Sequence, residues 1–178
     1  MEPSGITQAE RPVPRVLVGA VMSAKSRTLE ELGKVVADEV RAAKLTLVRS
    51  VIVNGEAHFI QQLVSNVSND NEADAIVLVG GTGFGPRDTT VDAIDTFCER
   101  RIEGFGDTFR LMLRDEMGFG PHAWLSRATA GVYNQCLVFA MTGRPNDVKR
   151  AMQTIIVPTL SDAVELATGR MRTVHLRA

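Results

Sequence analysis

The sequence predicts a single α/β domain in three layers, with a mostly parallel β-sheet between two layers of helices. Three observations lead to this prediction. Strand-like and helix-like segments alternate through the first 81 residues, and the strand-like segments are short valine-rich runs typical of strands buried on both faces. The chain of 178 residues is also long enough for one ordinary hydrophobic core. Because crossovers between such strands are right-handed, neighbouring strands are expected to be parallel.

Two strand–helix units and a third strand open the domain. RVLVGAVM at residues 15–22 is the first strand, and Thr28 is predicted to cap the helix that follows. LTLVRSVIV at residues 45–53 is the second strand, ending at the turn signal Asn54-Gly55, and AIVLVGG at residues 75–81 is the third. The apolar positions of the two helices repeat at helical spacing: Leu29, Leu32, Val36 and Val40 in the first, and Phe59, Ile60, Leu63 and Val67 in the second.

Helices and two more strands fill the second half. TTVDAIDTFCER is predicted as a helix capped by Thr89 or Thr90, and residues 104–120 as a helix bracketed by glycine turns. TAGVYN and CLVFAM are strand-like, with a tight turn at Asn134-Gln135 between them. Residues 145–167 form a long terminal helix that Pro158 kinks or divides. The domain is therefore assigned to residues 15–168, with a flexible arm at 1–14 and a basic tail at 169–178.

Composition narrows the class of protein. Twenty basic and twenty-one acidic residues give a net charge of −1, so no nucleic-acid partner is expected. No apolar run approaches the roughly 20 residues of a membrane span, and we expect no membrane partner. The cysteines Cys98 and Cys136 lie in apolar segments, and reduced thiols of this kind suit a cytoplasmic protein. Three scattered histidines lack metal-ligand spacing. Trp124 either lines a pocket or is simply buried.

The stretch VLVGGTGFGPRDTT at residues 77–90 is the leading candidate site. It leaves the third strand at its carboxyl end, where parallel sheets bind ligands, and carries four glycines in six residues. It matches neither a Walker A element nor GxGxxG. Bare backbone N–H groups and Arg87 suit a phosphate, and Asp88 would then need a divalent cation. The alternative is a tight turn in which Arg87 and Asp88 form a surface ion pair.

Four elements in order carry a resemblance to a known family. GGTGFGPRDTT resembles the GGTG-x-x-x-RD-x-T element of the molybdopterin adenylyltransferase family, the Mog/MoaB branch of molybdenum cofactor biosynthesis. IEGFG at residues 102–106 is similar to its P/E-G-F-G element. LSRATAGV at residues 125–132 is similar to its Ser-Arg and Ala-Gly-Val pair, and TGRP at residues 142–145 approximates Pro-Gly-x-Pro. The match spans about residues 15–160, nearly the whole domain.

The resemblance implies a fold, an assembly and a reaction. The fold would be the MogA/MoaB-like molybdopterin-binding domain, assembled as a homotrimer or as a hexamer of trimers. Its ligands would be molybdopterin and ATP, and active members transfer AMP from Mg-ATP to the terminal phosphate of molybdopterin. The family pattern assigns catalysis and the Mg²⁺ contact to Asp88. It assigns ligand contacts to Ser23, Asn54, Gly80, Gly81, Thr82, Gly83, Arg87, Thr90, Ser126, Arg127, Gly131, Gly143 and Pro145.

Three departures from the family pattern keep two functions open. Active members usually place an aspartate after the second strand, where this chain has the neutral amide of Asn54. The element SAKSRTLEELG lacks two expected acids, and Thr142 replaces a proline. The chain is therefore either a molybdenum cofactor biosynthesis protein that adenylylates molybdopterin, or a catalytically silent oligomeric module that holds a pterin or a protein partner. The intact motifs favour the first function and the missing acids favour the second.

Overall fold

The computed structural model describes residues 12–22 and 29–169. Within these residues six strands form one sheet: Arg15–Val21 (β1), Thr46–Val53 (β2), Ala75–Val79 (β3), Arg100–Arg101 (β4), Thr129–Tyr133 (β5) and Cys136–Met141 (β6). Six α-helices are described: Leu29–Ala42 (α1), Ala57–Asn69 (α2), Thr90–Phe97 (α3), Glu103–Asp115 (α4), Pro145–Ala151 (α5) and Val157–Thr168 (α6). The predicted cap Thr28 and most of the predicted arm and tail lie outside the described residues.

The sheet has the strand order β2-β1-β3-β6-β5-β4. The pairs β1–β2, β1–β3 and β3–β6 are parallel, whereas β5 pairs antiparallel with β6 and with β4. The prediction of a mostly parallel sheet is therefore confirmed. Because β1, β3 and β6 run in the same direction, their carboxyl ends at Val21, Val79 and Met141 meet at one edge of the sheet.

Two apolar clusters cover the two faces of the sheet and confirm the three-layer architecture. Alternate residues of β1 point to opposite faces, so Val16 and Val18 join one cluster and Leu17 and Val21 the other. Helices α1, α4, α5 and α6 pack on the first face, and α2 and α3 pack on the second. Burial of each large apolar side chain contributes about 1.5–3 kcal/mol of transfer free energy.

Several local predictions need correction. The helix predicted for residues 104–120 ends at Asp115, because Gly118 and Gly120 adopt φ values of 72° and 51° and a 3-10 helix, Gly120–Leu125, follows. In α2 the predicted core residue Phe59 is 39% exposed, and Val64 is buried on the core side of the helix. The edge strand β2 is also less covered than predicted, with Ile52 52% exposed.

The predicted tight turn between the last two strands and the predicted division of the last helix are both confirmed. Asn134 and Gln135, with φ of 44° and 66°, form the tight turn that joins β5 to β6. A π-helical segment, Met152–Ile156, separates α5 from α6 directly before Pro158. Proline has no backbone N–H to donate to the preceding turn, so the hydrogen-bond pattern changes there.

None of the described helices is both long enough and apolar enough to cross a membrane.

Candidate functional site

The glycine loop, residues 80–89, leaves β3 at the edge where β1 and β6 also end. Gly80 and Gly81 have φ values of 99° and 64°, in the left-handed region that favours glycine. A Cβ atom on Gly80 would lie 2.9 Å from the carbonyl oxygen of Val21. The Gly80 N–H donates to the Met141 carbonyl at 3.0 Å. These two glycines therefore let the chain turn tightly against the ends of β1 and β6.

Two threonines join this loop to its surroundings. Thr90 is fully buried, and its hydroxyl donates to the Gly80 carbonyl at 2.9 Å. Its N–H donates to the Gly81 carbonyl at 3.0 Å. Thr89 occupies the N-cap position of α3 but does not cap the helix, since its hydroxyl donates to the Gly55 carbonyl at 2.5 Å. The predicted side-chain cap of α3 is thus wrong, and the Thr90 hydroxyl is engaged inside the fold.

The carboxylate of Asp88 occupies the space that the other two glycines leave open. Its Oδ2 accepts a hydrogen bond from the Gly85 N–H at 3.1 Å. A Cβ atom on Gly83 would lie 2.5 Å from that oxygen, and one on Gly85 would lie 2.9 Å from it. The group that approaches this part of the loop is therefore a side chain of the loop itself. Arg87 and Asp88, whose surface ion pair was the alternative to a phosphate-binding loop, form no ion pair among the described residues, and Arg87 is exposed.

Arg127 holds the loop from the side. Its Nη1 donates to the Gly83 carbonyl at 3.0 Å, and its Nη2 donates to the carboxylate of Asp92 on α3. The guanidinium also lies 5.5 Å from the centroid of the Phe84 ring. The preceding Ser126 accepts a hydrogen bond from Arg110 through its carbonyl at 3.1 Å. Arg127, which the family pattern assigns to the ligand, is therefore engaged with loop and helix.

A cavity of about 290 Å³ opens beside the loop. We call it the basic cavity, because two arginines and a histidine line it and none of its ten lining residues is acidic. Its lining residues are Thr82, Gly83, Leu113, Phe119, His122, Leu125, Ser126, Arg127, Thr142 and Arg144. A wall that combines hydroxyl groups and arginines with apolar side chains suits a ligand with an anionic end.

Arg144 stands at the entrance to α5, on the wall of the basic cavity. Its Nε lies 2.5 Å from Oδ2 of Asp147, and its guanidinium lies 4.0 Å from the centroid of the Phe119 ring. Asp147 is buried, and burial raises the pKa of its carboxyl group, although the Arg144 charge opposes this in part. Oδ2 has no directed hydrogen bond, so its contact with Arg144 is an ion pair without good hydrogen-bond alignment.

A second cavity, of about 300 Å³, adjoins the first. We call it the aromatic cavity, because the exposed rings of Phe84 and Trp124 line it. Of the two roles open for Trp124, pocket lining is confirmed, since the side chain is 71% exposed. Arg101 and Arg110 supply positive charge, and three carboxylates supply negative charge: Asp95, Glu103 and Asp107. Ser126 and Arg127 line both cavities and so form the wall between them.

The remaining predicted site residues lie in different places. Gly143 packs against the loop, since its Cβ would lie 3.4 Å from the Cα of Gly80, and Pro145 is the first residue of α5. Asn54 is exposed, and its Oδ1 accepts the Glu56 N–H at 3.0 Å. Gly131 lies within β5 away from the loop, where a Cβ would be 2.7 Å from the Cβ of Cys98. Ser23 lies outside the described residues.

Sequence reasoning missed several lining residues of the two cavities. Arg144 stands inside the TGRP element, and Phe84 stands inside the glycine loop, so both had a local signal. His122, Phe119 and Leu113 had none, because they reach the basic cavity only through the packing of α4 against the 3-10 helix, β5 and α5.

The cysteines lie apart from both cavities. Burial raises the pKa of the Cys136 thiol to about 12 and that of Cys98 to about 11. Both thiols therefore stay protonated at neutral pH and are poor nucleophiles.

Among the described residues no group of three or more histidine, cysteine, aspartate or glutamate side chains could hold a metal ion.

Comparison with known proteins identifies the class. Residues 16–162 match the family model described as "Probable molybdopterin binding domain", so the chain belongs to the molybdopterin-binding family. It is a molybdenum cofactor biosynthesis protein of the MoaB/Mog type, as its relatives and its fold both indicate. The resemblance that the four sequence elements carried is thereby confirmed.

Two relatives and two solved structures illustrate the match. Molybdenum cofactor biosynthesis protein B of Bacillus subtilis is 33% identical over 152 residues, which cover 85% of this chain and 89% of the relative. The protein of the same name from Halalkalibacterium halodurans is 33% identical over 146 residues, covering 82% and 85%. A crystal structure of molybdenum cofactor biosynthesis protein B superposes with a TM-score of 0.83 at 26% identity, covering 90% of this chain and 99% of that one. The tungsten cofactor synthesizing protein MoaB from Pyrococcus furiosus superposes with 0.72 at 26% identity, covering 88% and 98%.

Proposed function

We propose that this protein binds molybdopterin and transfers AMP from Mg-ATP to its terminal phosphate. The observation that carries the proposal is the pair of cavities that meet at Ser126 and Arg127 beside the glycine loop. Each cavity alone is small for a ligand site, since such sites are about 300–1,000 Å³. A ligand with an anionic end and a flat ring system would fill both. Membership of the molybdopterin-binding family supports this identity of the ligand.

The proposed reaction needs no protein nucleophile. A phosphate oxygen of molybdopterin attacks the α-phosphorus of ATP, a new P–O bond forms, and the bond to the bridging oxygen of the β-phosphate breaks. Pyrophosphate leaves with that oxygen and its electron pair. Phosphoryl transfers of this kind depend on alignment of the reacting groups and on neutralisation of charge. The site therefore has to position two anions close together.

Side chains around the loop would divide this work. The basic cavity would take the terminal phosphate, with donors from the Thr82 and Gly83 backbone and from the Ser126 hydroxyl. The ring system would lie in the aromatic cavity against Phe84 and Trp124. Asp88 would hold the Mg²⁺ that accompanies ATP, because its carboxylate is oriented by the Gly85 N–H next to Gly83. When bound, Mg²⁺ neutralises negative charge on the ATP phosphates.

The second candidate function is a silent module that binds the pterin without transferring AMP. Asn54 favours it, because the amide oxygen accepts the Glu56 N–H within its own turn and carries no charge for a metal ion. Asp88 is then the single carboxylate that the loop offers. Mg²⁺ sites commonly use one or two carboxylates, so a site with one is at the lower limit.

Single-turnover formation of adenylylated molybdopterin tests the two functions. The purified protein is mixed with molybdopterin and Mg-ATP, beside the variant Asp88→Asn and the surface control Asp115→Asn. Asparagine can still accept the Gly85 N–H, so the loop should keep its shape while the charge is lost. We expect product from the wild type and the control, and about a hundredfold slower formation by Asp88→Asn.

Other outcomes would select a different function. Pterin binding without product in the wild type would support the silent module. Neither product nor pterin binding would refute both functions. Equal rates for Asp88→Asn and Asp115→Asn would remove Asp88 from the reaction.

We also propose that the chain forms a homotrimer or a hexamer of trimers. Large apolar side chains that line neither the basic nor the aromatic cavity are exposed on the single chain, among them Ile52, Leu111 and Leu166. Burial of these side chains between copies of the chain would remove their apolar surface from water. Analytical ultracentrifugation measures the assembly, and a monomer at micromolar concentration would contradict it.

Cys98 and Cys136 are both free thiols, and we therefore place the proposed reaction in the cytoplasm.

A further inference from the structure

We propose that Arg144 binds the phosphate group of the ligand directly, and that binding in the basic cavity requires no divalent cation. This inference rests on the proposed function because it concerns the same site. Nothing in the family pattern of the sequence assigned a role to Arg144, which stands between the predicted contacts Gly143 and Pro145. The inference follows from the side chains that line the cavity and from the partners that each arginine already has.

The chemistry of the cavity wall argues against a metal bridge. Mg²⁺ prefers oxygen ligands and is usually held through at least one carboxylate, but none of the ten described residues that line the cavity is acidic. The wall instead carries Arg127, Arg144 and His122 together with the hydroxyls of Thr82 and Ser126. Cations and neutral donors are the partners that neutralise a phosphate directly.

The two arginines of the basic cavity differ in what they have left to donate. Arg127 uses Nη1 for the Gly83 carbonyl and Nη2 for Asp92, so its two terminal nitrogens are already engaged. Arg144 makes its shortest contact with Asp147 through Nε, and its terminal nitrogens donate no hydrogen bond to any other described residue. The two terminal groups of a guanidinium match two oxygens of a phosphate. Arg144 is therefore the arginine whose two terminal nitrogens both lack a protein acceptor among the described residues.

Its neighbours also hold Arg144 in place before any ligand arrives. The Phe119 ring lies 4.0 Å from its guanidinium, and Asp147, fixed in the first turn of α5, lies 2.5 Å from its Nε. The Arg144 side chain is 50% exposed, so the terminal groups are accessible. A side chain fixed in this way loses less conformational entropy when it binds a phosphate than a mobile one would. Arg144 thus acts as a preformed phosphate ligand of the cavity.

Equilibrium dialysis with radiolabelled inorganic phosphate tests the inference. Binding is measured in EDTA and again in Mg²⁺, for the wild type, Arg144→Gln and the matched control Arg150→Gln. Arg150 lies on α5, is similarly exposed and pairs with Glu116, but it does not line the cavity. We expect binding by the wild type in EDTA, an affinity at least about tenfold lower for Arg144→Gln, and no change for Arg150→Gln.

A second variant covers the case in which Arg144→Gln does not fold. Arg144→Lys keeps the charge but loses the paired donors, and an intermediate loss of about threefold to tenfold is expected. Phosphate binding that EDTA abolishes, wild type that binds no phosphate, or Arg144 variants that bind as tightly as Arg150→Gln would each overturn the inference. Failure of AMP transfer with phosphate binding intact would refute the proposed reaction and leave this inference standing.

Discussion

Replacement of Gly83 by alanine tests whether the glycines of the loop serve the loop's own carboxylate. A Cβ atom at Gly83 would lie 2.5 Å from Oδ2 and 3.1 Å from Cγ of Asp88, inside the usual contact distance of about 3.5 Å. The Asp88 side chain must then turn away and lose the hydrogen bond from the Gly85 N–H. A hydrogen bond to a charged group contributes about 1.5–3 kcal/mol, and because Asp88 is half-buried we expect the lower value.

An opposing contribution comes from the unfolded chain. Gly83 does not have a positive φ, so alanine fits its backbone conformation. At such positions the change from glycine to alanine stabilises a protein by about 0.4–1 kcal/mol, because the unfolded chain has fewer conformations. The net loss for Gly83→Ala is therefore about 1 kcal/mol in the wild type. In an Asp88→Ala background the clash is gone, and the same change should stabilise by about 0.5 kcal/mol.

Urea denaturation of the four proteins of this double-mutant cycle measures the difference. The free energy of unfolding is compared at one fixed protein concentration, because an oligomer's stability depends on concentration. We expect a coupling energy of about 1.5 kcal/mol between positions 83 and 88. If Gly83→Ala destabilises equally in both backgrounds, the glycine is required by some other neighbour and the reasoning is wrong.

Three further predictions concern the two cysteines and the strand beside Cys98. Burial raises the pKa of the Cys98 thiol to about 11. At pH 8 this thiol should therefore react with a thiol reagent about a hundredfold more slowly in the folded chain than in the chain unfolded by urea. Equal rates in the two states would contradict this prediction. In the folded chain the pKa of each cysteine thiol lies above its ordinary value of 9.0. The stability that the protonated thiols contribute is therefore present below about pH 9 and is lost as the pH rises toward 11. Urea titrations between about pH 8 and pH 10 measure this loss in the free energy of unfolding. A Cβ atom at Gly131 would lie 2.7 Å from the Cβ of Cys98 and 2.9 Å from the Arg100 carbonyl oxygen. Gly131→Ala should therefore lower the free energy of unfolding by about 1–3 kcal/mol. An unchanged midpoint of urea denaturation would show that β5 has room for the added methyl group.

The fold followed from sequence patterns where the pattern is local and strong. Valine-rich runs and helical repeats located β1, β3, α1 and α2 to within a few residues. Errors arose where a neighbouring element decides the outcome. Phe59 has the right spacing for the core face of α2, but in the folded chain the residue is 39% exposed. The end of α4 at Asp115 depends on left-handed glycines further along the chain, and the sequence does not specify their conformation.

The candidate site was predictable in its location and only partly in its roles. A glycine-rich segment after a central parallel strand had to lie at the carboxyl edge of the sheet. The same glycines gave no indication of which group they admit, and in the structure that group is the carboxylate of Asp88. Arg127 shows the same difficulty: its motif position suggests a ligand contact, whereas its donors go to Gly83 and Asp92.

The amino-acid order alone thus established the alternation of strands and helices, the position of the glycine loop and the family, because each depends on residues close together along the chain. Packing established the rest. The basic cavity joins Thr82 and Gly83 of the loop to His122 and to Arg144, which come from separate parts of the chain. Which donors of an arginine are free, and which carboxylate fills a glycine gap, depend on distances between elements that only the folded chain brings together.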